Sequence, residues 1–118
     1  MFGHIASMKA KPGKRDEVVA LLVGGVENLR QHGCESYVVA TSATDDDTIW
    51  VTEVWRSREH HAASLELPET RKAIGEAMPL LTGEFSGQAT SIAGGLGVLR
   101  ADWCSLDAEV DGFSSNHP

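Results

Sequence analysis

Lysine and arginine are scarce in this 118-residue sequence, and none occurs in its last eighteen positions. Ten Lys and Arg stand against 17 Asp and Glu, for a formal charge of −7. Residues 1–100 hold −3 of this; residues 101–118 hold −4, from Asp102, Asp107, Glu109 and Asp111. No basic stripe exists, which argues against a nucleic-acid partner. Cysteine is nearly absent too: Cys34 and Cys104 stand 70 positions apart, with no CxxC and no Cys/His pair at zinc spacing. That excludes a disulfide-stapled scaffold and a structural zinc knot. Long apolar runs are missing, none approaching the roughly 18 residues that cross a bilayer, so no membrane partner is expected. The opening MFGHIASMKAK has neither the basic nor the apolar region of a signal peptide, so a cytoplasmic location is expected.

What is present is ordinary globular material, 42% hydrophobic and 23% charged, enough for one domain. Phe2 to Ala10 suits a strand, with Phe2, His4, Ala6 and Met8 on one face and Ile5 on the other. Pro12-Gly13 breaks it. An amphipathic helix is predicted over Lys14 to Gln31, its stripe formed by Val18, Leu21, Leu22, Val26 and Leu29. Gly24 and Gly25 weaken it by about 1 kcal/mol each, and Gly33 ends it. Two strands follow, Cys34–Ser42 and Thr48–Trp55, joined by a polar turn. Ser57 is the expected N-cap of a short helix, and Pro68 opens another that Pro79 closes. A last strand is predicted over about Glu84 to Ala93.

The order β-α-β-β-α-β, with the second helix split, is the ferredoxin-like α+β plan: an antiparallel sheet with helices on one face. The fold is expected over residues 1–95, with 96–118 an acidic tail or a dimer-docking arm. Along the third strand Ile49, Val51, Glu53 and Trp55 share one face, and Trp50, Thr52 and Val54 the other. Both faces carry large apolar groups, so the face without helices needs a partner, and a second copy is the simplest.

Several residues stand in a pattern seen elsewhere. KPGKRDE from Lys11 to Glu17, Gly33-Cys34 with Tyr37, and Glu53-Val54-Trp55-Arg56-Ser57 resemble the antibiotic biosynthesis monooxygenase family. His61-Ala62-Ala63-Ser64-Leu65, Pro68 and Pro79-Leu80-Leu81 extend the likeness over residues 2–93. The resemblance implies a dimeric α+β barrel with a pocket between helices and sheet in each subunit. It implies small oxygenases of quinols or anthrone-like compounds that use O2 without metal or flavin, beside haem-degrading relatives. Haem degradation is disfavoured, because Ile74 or Gly75 occupies the region of the relatives' His and no Asn stands near His4. Ser64 and Glu69 stand where many relatives place histidines.

The resemblance implies a cofactor-independent monooxygenase acting on a small aromatic or quinol-like molecule with O2. The alternative is a non-catalytic, dimeric domain that binds a small ligand. The candidate acid–base groups are His61, His4 and Glu53, since imidazole and carboxylate are the common proton acceptors near neutral pH. Glu53 has a structural alternative, as ion-pair partner of Arg56, Arg71 or a residue across the dimer. Trp55, Tyr37 and Val51 are the candidate substrate-binding residues, Trp55 as a flat apolar wall with a polar N–H. His60 points away from His61 and is expected in solvent. Cys34 reads as an inert buried thiol, and Asp45-Asp46-Asp47 as a solvated turn. No metal site is expected.

Overall fold

The computed structural model describes residues 1–98, so the expected acidic tail lies almost wholly outside the described residues. Four strands are formed: β1 (Phe2–Ala10), β2 (Cys34–Thr41), β3 (Thr48–Trp55) and β4 (Leu81–Ser91). Between them lie α1 (Arg15–Val23), α2 (Val26–Leu29), α3 (Arg58–Ser64) and α4 (Pro68–Ala77), with 3-10 turns at Arg30–His32 and Met78–Leu80. All strand pairs are antiparallel, in the order β2-β3-β1-β4. This is the ferredoxin-like α+β fold.

Two elements differ from the sequence reading. The long helix expected over Lys14–Gln31 is broken: α1 stops at Val23, and Gly25 takes a left-handed conformation at φ 77° before α2 starts. A side chain at that angle is strained, so the glycine pair ends the helix instead of merely weakening it. The last strand starts three residues earlier than expected, because Leu81 already pairs with Ala10. The pairing is irregular between Met8 and Ala10, and Gly83, at φ 96°, lies inside that irregularity. A glycine takes this conformation without strain, as a bulge in the sheet requires.

Register decides what meets under the helices. His4 of β1 lies opposite Glu53 of β3, and Glu53 lies opposite Tyr37 of β2. One step earlier in the same alternation, Phe2 opposes Trp55, which in turn opposes Cys34. Directly opposed residues share a face. The row Tyr37-Glu53-His4 therefore crosses three strands on the helix side. The main core, Ala10, Val18, Ile49, Val51, Ala77 and Leu81, fills the middle of that layer. A second cluster of Phe2, Cys34 and Trp55 closes its end, with Trp55 only 1% exposed. Full burial of a side chain of that size is worth roughly 3 kcal/mol. The opposite sheet face carries Ile5, Val38 and Trp50, all exposed.

Gly33 stands where the helical segment turns into β2, at φ 98°, and a Cβ there would meet the His60 ring at 2.5 Å. Gly75, in the middle of α4, has open space around it. Gly33→Ala is expected to cost about 1–3 kcal/mol, while Gly75→Ala is expected to gain up to about 1 kcal/mol. Urea denaturation of the two variants checks this, and equal effects would contradict it.

Candidate active site

An apolar cavity of about 270 Å³ lies between the sheet and the helices. Leu21, Leu22, Leu29, Ile74, Met78 and Phe85 supply much of its wall, and Tyr37, Glu53 and Trp55 supply sheet-side groups. α1 supplies Leu21 and Leu22, α2 supplies Leu29, and the amphipathic α4 turns Ile74 toward the sheet. Ser64 and Glu69 also line it.

Glu53 is the polar centre. Its side chain is 13% exposed, and Oε1 accepts a hydrogen bond from the Trp55 indole Nε1–H at 2.9 Å. Residues i and i+2 of a strand point the same way, which is why two positions on β3 can make this bond. Nε2 of His61 stands 3.8 Å from Oε1, and Nδ1 of His4 stands 3.7 Å from Oε2. α3 holds His61 in place: the Ser57 hydroxyl caps the helix by accepting the His60 N–H at 3.1 Å, and Ser64 Oγ donates to the His61 carbonyl at 2.7 Å. The His61 ring packs edge-on against Trp55, with centroids 5.6 Å apart, and lies 5.2 Å from both Phe2 and His4. Burial is the main cause holding the His61 imidazole below its usual range, with Glu53 opposing it and His4 and Arg58 adding to it. Burial also pushes the Tyr37 phenol far up, helped by Glu53.

The structure thus brings Glu53, Trp55, His61, His4 and Tyr37 to one end of the helix-covered layer. Of these, Glu53, Trp55 and Tyr37 line the cavity, whereas His4 and His61 stand behind the carboxylate. Val51 is elsewhere: it shares the strand face but lies in the core, 2% exposed, and is not part of the cavity wall. Neither arginine pairs with Glu53 within the chain: Arg56 pairs with Glu35 at 3.0 Å and Arg71 with Glu66 at 2.9 Å, and the groups facing Glu53 are His4 and His61. Phe2, Ser64 and Glu69 were not read as site residues. Phe2 gives no signal beyond strand alternation, while for Ser64 and Glu69 the signal lies in the family resemblance, which implies histidines at both positions. Asp45 is a turn residue, accepting the Asp47 N–H and the Thr48 hydroxyl, which hold its carboxyl below the usual range.

A ferredoxin-like sheet, an apolar cavity beneath its helices and a carboxylate–imidazole cluster at the end of that cavity together characterise this α+β domain. Residues 1–76 match the family model for antibiotic biosynthesis monooxygenase, and the chain belongs to that family. A Chloroflexus aurantiacus J-10-fl protein, named as a candidate member of the same family, is 42% identical. Its structure aligns over 80% of this chain and 97% of its own, at a TM-score of 0.68. Rv0793 from Mycobacterium tuberculosis shares the fold at 24% identity and a TM-score of 0.70, covering 80% of this chain and 97% of its own. A Deinococcus radiodurans structure does so at 22% identity and 0.70, covering 84% and 99%. No curated protein matches the sequence.

Cys34 is buried beside this cluster, and burial followed by Glu53 pushes its thiol up to about 11. The thiolate is the reactive form, and burial disfavours it. In a Cys104→Ser background, Cys34 is expected to react with a disulfide reagent far more slowly in the native protein than in urea. Prompt native reaction would contradict the burial described.

Proposed function

We propose that the chain is a monooxygenase that oxidises a quinol or hydroxylated aromatic with O2 and needs no cofactor for the reaction. The observation that carries the reading is Glu53: a carboxylate in the wall of an apolar cavity, oriented by Trp55 and backed by two imidazoles. Family membership and the name borne by the Chloroflexus protein support it. In this reading the aromatic lies among Leu21, Leu22 and Ile74, against Trp55. Glu53 accepts the substrate's proton, with His61 and His4 sharing it. The resulting anion passes one electron to O2, and the radical pair closes a carbon–oxygen bond as a peroxide. Loss of water then leaves a carbonyl. A ring methylene and one O2 thus give a ring carbonyl and one water, so one oxygen atom enters the product and the other leaves in the water. The dry wall keeps the radical pair from solvent.

Aerobic incubation of chelator-treated protein with naphthoquinols and anthrones should give O2 uptake above the spontaneous rate. Glu53→Gln is expected to lower kcat about 10²–10⁴-fold, the usual share of an acid–base group. No uptake with any such substrate overturns the reading, and saturable quinone binding without turnover supports a ligand-binding domain instead.

We further infer a cytoplasmic homodimer joined through the bare sheet face. Ile5, Trp50 and Val38 are 40%, 43% and 54% exposed there, Ile5 and Val38 flanking Thr52 of β3 and Trp50 two residues along that strand. Trp50→Glu is expected to shift the sedimentation coefficient from dimer to monomer. A wild-type monomer would contradict the inference.

A further inference from the structure

We propose that His4, Glu53 and His61 form a binding site for one divalent transition-metal ion of the Zn2+ or Fe2+ type. Each of the three offers a ligand atom, and these atoms all lie within 4.8 Å of one another, the only such group among the described residues. Two imidazoles and one carboxylate are a donor set that such ions take up, leaving further coordination positions open to water or substrate.

Three observations carry the assignment. The first is spacing. A direct hydrogen bond from imidazole to carboxylate spans about 2.8 Å, but His4 and His61 stand 3.7 and 3.8 Å from the Glu53 oxygens. Ligand atoms about 2.0–2.2 Å from a shared ion lie roughly 3–3.5 Å apart, so small side-chain rotations bring this trio into range. The second is an orphan: His4 Nδ1 is buried and has no hydrogen-bond partner among the described residues. Its ring has room because position 87 is glycine, where a Cβ would come within 3.3 Å of Nε2. The third is support. The ligands come from β1, β3 and the Ser57-capped α3, and Trp55 fixes the carboxylate from behind. Metal sites are held in this way by groups that orient the ligands.

The site goes beyond the oxidation reading and touches it at one point. An ion on these atoms takes the electron pairs that would receive the substrate's proton, so Zn2+ is expected to inhibit turnover. Binding is tested without substrate. Full-length protein, stripped with chelator, is titrated with Zn2+ against a chromophoric competitor, and Co2+ is used for its visible absorption. One ion per chain is expected, with a Kd below about 100 µM. His4→Ala, Glu53→Gln and His61→Ala should each weaken binding at least tenfold and alter the Co2+ spectrum. Trp55→Phe should weaken it by about 10–100-fold, as loss of an orienting group does. Circular dichroism selects folded variants; should an alanine variant not fold, His4→Gln and His61→Gln replace it. No saturable binding, or binding unchanged in folded His4 and His61 variants, overturns the proposal. Failure of O2 uptake leaves this titration unaffected, and failure of the titration leaves metal-free O2 uptake unaffected.

Discussion

The hydrogen bond from the Trp55 indole to Glu53 is the constraint around which this end of the molecule is built. A carboxylate beneath helices must be matched, and a neighbour two residues along the same strand is the shortest way to do it. The indole that matches it is itself almost fully buried, so the donor cannot leave without uncovering the second core cluster. Phe2 and Cys34 complete that cluster, and the two histidines stack against it and one another. Packing energy and site geometry therefore reside in the same side chains. Proton transfer and ion binding, the two chemistries proposed, both draw on that fixed carboxylate.

Much of the fold could be read directly. β1 and β3 follow from alternation and β-branched residues, and their limits coincide with the observed strands. Period two also showed that Glu53 and Trp55 point the same way. The position of His4 against Glu53 needed the register of β1 on β3, which alternation narrows to a face but not to a partner. His61 needed the packing of α3 over the strand ends, a tertiary fact.

The cavity was illegible for another reason. Leu21, Leu22 and Ile74 lie on stripes that would look the same if they filled a solid core. Val51 shows the converse. It has the right face and the right chemistry, but it stands two residues nearer the middle of the layer, where the core closes over it. Gly25 misled, since a residue that weakens a helix on paper can be the one that ends it.

The break between α1 and α2 bears on the cavity as well as the chain path. Gly24 and Gly25 line it with main chain alone, and open space surrounds the missing Cβ of Gly25. At that point the wall is set by backbone dihedrals and not by side-chain choice. Relatives that share the leucines but carry larger residues there would enclose a smaller and differently shaped volume. Selectivity for ligand size can thus be rewritten in this fold through a loop that touches none of the polar groups.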